Sequence, residues 1–314
     1  MGIRLLNKYL INNSFIGKKI HFSELSNKKI CVDIYNYIYQ FLGNNRLIEE
    51  LEILCKILQK YKIHALFVFD GKYSDKKKTE HVKRRKNREK ANEKYELLSL
   101  VDNKSKHQEM KLKSLNRDRV KITKWDIHDA KVCLDFCGMK YITAKGEADE
   151  LCAELLRKKK VFACMSDDTD LFAYGSKHVI KAVNFYNETC VLYNIDEILS
   201  FTGMTMNEFQ QVCTLSCNDY INSKKTKHFI YYLHHFIKYN MENSGENYLS
   251  WLINNNILSE KEYDKYKQVK DIYTLNNNIL KGYKYIIIKN DVYLRRKVTQ
   301  LIKEREKYLK ELYE

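Results

Sequence analysis

The chain predicts an α/β fold: a mostly parallel twisted sheet flanked by helices, with a basic, helix-prone insertion and a helical C-terminal region. Three observations carry this expectation. Short apolar runs of strand length recur at Lys29–Val32, His64–Phe69, Gly138–Ile142, Val161–Met165 and His178–Val183. Stretches of helical period separate most of them, and strands that alternate with helices form a parallel sheet covered on both faces. Residues 72–90 read KYSDKKKTEHVKRRKNREK, with almost nothing to bury, so this segment is an insertion and not core.

The elements follow in order. Leu47, Leu51, Leu54 and Leu58 recur near the helical period and predict a helix over Leu47–Tyr61. Lys124–Cys137 and Glu147–Lys159 behave similarly. The insertion, about residues 71–123, stays charged and helix-prone throughout; a disordered basic loop is the alternative. Beyond Asn194 the chain reads as all-helical to about residue 282. A strand pair, Tyr283–Ile288 and Asp291–Leu294, then precedes a final amphipathic helix, Arg295–Glu314. The expected organisation is a core over residues 1–220 and a mainly helical region over 221–314 within the same compact unit.

The chain has 314 residues, 44% of them hydrophobic, which suffices for a sizeable core. Lys and Arg number 56 against 40 Asp and Glu, a net charge of +16. A polyanion binder uses such an excess for affinity and steering, whereas a neutral metabolic enzyme gains little from it. The competing reading is a solvated lysine-rich surface. No apolar run is long enough for a bilayer, and MGIRLLN has no secretory h-region, so an intracellular protein without a membrane partner is expected. The 9 cysteines include no CxxC pair. Cys133/Cys137 and Cys213/Cys217 each share a helix face, which allows zinc, but buried free thiols of a reducing compartment are the expected state. Proline is absent, so Gly, Asn, Ser and Asp must start and stop the helices.

Three apolar runs end in acid. KKICVD ends at Asp33, HALFVFD at Asp70, and VFACMSDDTD passes into Asp167, Asp168 and Asp170. A fourth acid group, Glu147, Asp149 and Glu150, follows YITAKG at a helix start. The C-terminal ends of parallel strands share one edge, where ligands bind, so these acids converge in space. One such Asp alone could simply cap a helix. Four acid-bearing ends crowd carboxylates that repel unless cations neutralise them. Oxygen-rich clusters suit Mg²⁺, and paired ions roughly 4 Å apart hydrolyse phosphodiesters. A basic surface around such a crevice points to nucleic-acid cleavage.

These residues resemble the flap endonuclease (XPG-like) family across roughly residues 1–220. MGIRLLNKYL is similar to the family's N-terminal signature, which implies Gly2 at the DNA. VDIYNYIYQFL resembles the first block, with Asp33 in the metal site and Tyr39 as the aromatic that stacks on the junction base. FVFDGK resembles the second block and implies Asp70. KGEADELCA resembles the Glu-Ala-Glu block and implies Glu147 and Asp149. SDDTDLFAYG implies Asp168 and Asp170, and CNDY implies Asp219. The resemblance thus implies a PIN-like nuclease core with seven carboxylates for two Mg²⁺ ions, which Mn²⁺ could replace. It also implies Lys77 and Arg84 as arch residues on the scissile phosphate, with Arg88 nearby.

The sequence departs from the family in two places. Asp149 stands where the family has a second Glu, which leaves Glu150 as a rival ligand. After Asp219 the chain reads DYINSKKTKHFIYYLHHF, without the family's glycine-rich hairpin; Lys224, Lys225 and Lys227 could replace it by charge. No sliding-clamp-binding motif is evident. The implied activity is structure-specific 5′ flap endonuclease and 5′–3′ exonuclease cleavage of DNA at a flap or junction. The rivals are a PIN-type ribonuclease and a non-catalytic junction-binding recombination factor. The A/T-biased composition would suit a large DNA virus.

Overall fold

The computed structural model describes residues 2–71, 78–221, 226–243, 245–276, 279, 280 and 283. Seven strands form one sheet: β1 (Gly17–His21), β2 (Lys29–Asp33), β3 (His64–Phe69), β4 (Lys140–Thr143), β5 (Ala163–Met165), β6 (His178–Asn184) and β7 (Thr189–Asn194). Their order is β1-β7-β6-β5-β2-β3-β4. The five strands from β6 to β4 run parallel, and β7 and β1 add an antiparallel edge.

All five expected runs form strands, His64–Phe69 with the bounds expected and the other four with shifted ends. Gly138 takes a positive φ of 65°, which turns the chain out of the preceding helix and delays β4 to Lys140. The antiparallel edge escaped the sequence reading. Only Ile20 of β1 is fully buried, so GKKIH carries too little apolar signal.

Helices α1 (Leu6–Asn12), α2 (Ile34–Gly43) and α3 (Leu47–Lys60) precede the insertion. In α3 the four periodic leucines are buried, with Glu49 and Glu50 in the first turn and Lys60 in the last, each matching the helix dipole. Helices α4 (Lys78–Ser99) and α5 (Lys106–Asp118) form the inserted arch; α6 (Lys124–Phe136), α7 (Ala148–Arg157) and α8 (Asp170–Ala173) follow. The C-terminal region holds α9 (Ile195–Thr202), α10 (Met206–Leu215), α11 (Phe229–Glu242), α12 (Tyr248–Asn254) and α13 (Glu260–Val269), as the sequence led one to expect.

Strand alternation sorts the two faces of the sheet. Ile30 and Val32 of β2 pack into the layer of α2, α3 and α6, while Cys31 packs into the opposite layer with α7, α8 and α10 to α12. Each large apolar side chain buried in these layers stabilises the fold by about 1.5–3 kcal/mol.

Among its described residues the arch forms two helices, over 78–99 and 106–118, and not a disordered loop. Arg119 stacks on Tyr95 at 3.7 Å and donates to Asn92 Oδ1 at 3.3 Å. Asn116 Nδ2 donates to the Gly43 carbonyl at 2.9 Å, tying α5 to α2. The expected strand pair and terminal helix lie outside the described residues, apart from buried Tyr283, whose hydroxyl accepts from Lys145 N at 2.6 Å. Among the described residues, no helix is long and apolar enough to cross a membrane. All nine cysteines are free.

Candidate active site

The chain leaves β2 towards β3 and β4 on one side, then returns to β5 and β6 on the other. This reversal creates a crevice between the C-terminal ends of β2 and β5. Asp33 closes β2, and Asp70 follows β3. Glu147 holds the N-cap position of α7, with Asp149 and Glu150 in its first turn; Asp168 and Asp170 follow β5.

Asp33 is 5% exposed. It accepts from Ser166 Oγ at 2.8 Å, Asn36 Nδ2 at 2.6 Å and Tyr35 N at 3.3 Å. Burial pushes its carboxyl well above the ordinary range, and the charge of Asp70, followed by that of Asp168, adds to the shift. Asp70 Oδ1 accepts from Ala148 N at 2.7 Å, at the positive end of α7. Gly71 makes this approach possible, because a Cβ there would lie 2.9 Å from the Ala144 carbonyl carbon.

The Asp168–Asp170 turn is held from several sides. Asp168 N donates to Ser166 Oγ at 3.1 Å, and Asp170 N donates to Asp168 Oδ1 at 3.0 Å. Tyr273 Oη donates to Asp170 Oδ1 at 3.3 Å. Gly2 presses its backbone against this turn with φ +83°; a Cβ there would lie 2.6 Å from Thr169 Oγ1 and 2.8 Å from Asp170 Oδ1. Ile3 N donates to Thr169 Oγ1 at 2.8 Å and fixes that placement. Gly2 is therefore set among the acids.

Asp149 and Glu150 are both half-buried and both act electrostatically on the buried Tyr174 phenol. Asp149 also acts on the ammonium of Lys181.

Asp219 lies in the turn after α10. Asn218 builds that turn: its Oδ1 accepts from Tyr220 N at 2.9 Å and Ile221 N at 2.8 Å, and its Nδ2 donates to the Cys213 and Thr214 carbonyls. Arg84 of α4 reaches across to Asp219, with Nη2 to Oδ2 at 2.5 Å. Arg88, four residues further along α4, is half-buried, as is Tyr39 on α2. Lys227 is exposed, its ammonium 5.4 Å from the Tyr231 ring centre. Lys77, Lys224 and Lys225 lie outside the described residues.

Sequence reasoning missed Ser166, Asn36 and Lys181. Ser166 joins Asp33 to the Asp168 turn, and Asn36 supports Asp33 from one helical turn on. Lys181 is 3% exposed and donates to the Asp167 carbonyl. Its signal was present: a lysine inside the apolar run HVIKAVN must find a partner when buried.

This strand order, with carboxylates gathered at the switch point, defines a PIN-like nuclease fold. The family model for the XPG N-terminal domain matches residues 1–91, and that for the XPG I-region matches 138–219. The chain belongs to the XPG-like flap endonuclease family. It is 30% identical over 245 residues to flap endonuclease 1-A of Physcomitrium patens, covering 71% of this chain and 60% of that protein. It is 29% identical over 243 residues to flap endonuclease 1 of Glycine max, covering 71% and 62%. The chain thus spans about three fifths of the length of these curated relatives. In fold it is similar to the catalytic core of Rad2 in complex with DNA substrate, with TM-score 0.62, 23% identity and coverage of 87% and 86%. It is also similar to flap endonuclease-1 from Methanococcus jannaschii, with TM-score 0.57, 22% identity and 83% of each chain covered.

Proposed function

We propose that this chain is a metal-dependent nuclease that hydrolyses DNA phosphodiesters at a 5′ flap or other junction between single strand and duplex. The observation that carries this reading is the meeting of a basic arch helix with an acid crevice, made by Arg84 and Asp219. Asp33, Asp70, Glu147, Asp149, Asp168, Asp170 and Asp219 supply an all-oxygen donor set. Burial first, and then the charge of neighbouring Asp70, raises the pKa of Asp33, so a bound cation would stabilise its ionised form. This chemistry fits two Mg²⁺ ions, or Mn²⁺ in their place. Such ions would activate water and stabilise the leaving oxygen.

The chain's own residues supply the rest. Arg84 offers a planar fork to phosphate, and Lys77 would offer a point charge. Arg88 extends the basic stripe, and Tyr39 offers a ring face to an unpaired base. Gly2 lets the N-terminal backbone approach the acids, where no side chain would fit. Lys224, Lys225 and Lys227 follow Asp219 and would hold duplex phosphates. Residues 1–220 form the nuclease core in this reading, with 221–314 as its DNA-binding extension. A reducing intracellular site of DNA replication or repair suits the nine free thiols.

The test is cleavage of 5′-labelled flap, gap, nick and blunt duplex DNA, and of matched single-stranded RNA, with Mg²⁺ or EDTA. Mg²⁺-dependent cutting at the flap junction is expected, with Asp70→Ala and Asp168→Ala inactive but still able to bind. Cutting in EDTA overturns the metal assignment. A preference for RNA supports a ribonuclease, and tight junction binding without cutting supports a recombination factor.

A further inference from the structure

Beneath the acid crevice lies a second cluster of potential ligands that the nuclease reading does not use. Cys31 of β2, Cys152 of α7 and Cys164 of β5 bring their sulfurs together, all within 4.8 Å of one another. Each is fully buried, at 0% exposure. Cys31 and Cys164 are register partners on adjacent parallel strands, so they project from the same face of the sheet, and α7 lays Cys152 over that face. Neither cysteine pair that shares a helix face in the sequence belongs to this cluster. It comes from three elements that only the tertiary fold assembles.

We propose that Cys31, Cys152 and Cys164 form a buried three-thiolate site for a soft divalent cation of the Zn²⁺ class. Thiolate is the protein ligand that selects such ions, whereas the carboxylate crevice above selects hard ones. A Zn–S bond of about 2.3 Å sets sulfurs roughly 3.8 Å apart, so the observed cluster needs only a small contraction.

Charge favours a divalent ion. Three thiolates and one such ion leave a single negative charge in the core, a costly state unless paired. Lys181 is a buried side chain in position to answer part of it: its ammonium donates to the Asp167 carbonyl, and Cys164 acts on it after Asp167 and Asp168. The ion enters as the fold closes, since the ligands have no path to solvent once buried. The three ligand-bearing elements also carry the acids: Asp33 lies two residues beyond Cys31, Asp168 follows Cys164, and Glu147 and Asp149 lie at the head of α7. An ion here would tie together the elements that aim the hard-metal ligands.

The experiment refolds the whole chain anaerobically in excess Mg²⁺ with Cd²⁺ as the probe. It reads the ultraviolet sulfur-to-cadmium charge-transfer band, which carboxylate-bound Cd²⁺ does not produce. One equivalent per chain is expected, with a higher unfolding temperature and displacement by Zn²⁺. Cys152→Ala should lose the band, and Cys55→Ala, on α3, should keep it. Cadmium-edge X-ray absorption on the wild-type protein counts the sulfurs independently of any variant's folding. Three sulfurs are expected. No band in the folded protein, an oxygen-only shell, or a band unchanged in Cys152→Ala overturns the proposal. None of these outcomes depends on nuclease activity, so the two readings fail separately.

Discussion

Arg84 Nη2 lies 2.5 Å from Asp219 Oδ2, so the arch helix and the last acid of the crevice form an ion pair. The pair is partly sheltered, with side chains 28% and 10% exposed. A guanidinium that holds Asp219 competes with a cation for the same oxygen. In the proposed reaction it must let go of the acid and take the phosphate.

Arg84→Ala should therefore separate two effects. Single-turnover cleavage should slow by roughly a hundredfold, the cost of losing one preorganised donor. The Mg²⁺ midpoint should move to lower concentration by about tenfold, since a charge-assisted bond contributes about 1.5 kcal/mol. Lys86→Ala, exposed on the same helix, should alter neither. A Mg²⁺ midpoint that stays put, or moves upward, rejects the competition.

The raised pKa of Asp33 makes stability depend on pH. In the metal-free protein its folded value lies above the unfolded one, because of burial and then the charges of Asp70 and Asp168. Its contribution is fully present below the unfolded pKa and is lost as pH rises through the folded value. A bound cation favours the ionised form and reverses this loss. The rise in unfolding temperature on adding Mg²⁺ should therefore grow as pH rises above the ordinary carboxylate range. Calorimetry with Mg²⁺ and with EDTA measures it; an equal Mg²⁺ effect at every pH rejects the linkage.

Gly2→Ala should disable the site without unfolding the protein. The left-handed φ of +83° disfavours any side chain, and the added carbon would collide with the turn from Asp168 to Asp170. A shift of about an ångström in reacting groups costs roughly a hundredfold in rate. Single-turnover cleavage should fall on that scale, with circular dichroism unchanged. Wild-type rates in this variant would show that the N-terminus can leave the acids freely.

Affinity for flapped duplex should fall steeply with salt, as released counterions require of a chain with net charge +16. Replacing Lys224, Lys225 and Lys227 together with Ala should weaken binding and flatten the log–log slope by about 3 if each meets a phosphate. An unchanged slope would make these lysines a solvated face.

Much of this was legible in the sequence because it depends on local pattern. Apolar runs that end in acid placed Asp33, Asp70 and Asp168 at strand ends, and the leucine period gave α3. The antiparallel edge was not legible, because β1 draws its stability from pairing with β7 and not from its own apolar content. Gly2 was visible as part of a resemblance, but its position against Thr169 and Asp170 depends on a contact between residues 166 apart in sequence, Ile3 and Thr169. The thiol cluster was invisible for a similar reason, since no two of its members are sequence neighbours.

The bond from Ser166 Oγ to Asp33 spans 133 residues. At a synthesis rate of about 5–20 residues per second, that interval lasts about 7–27 s. Through that time a nascent chain would expose its first acids and then its basic helices while the crevice between β2 and β5 does not yet exist. Such a chain could cling to a polyanion before it could cut one. Placing five of the seven acids after the basic insertion would make the proposed cutting a property of the finished sheet alone.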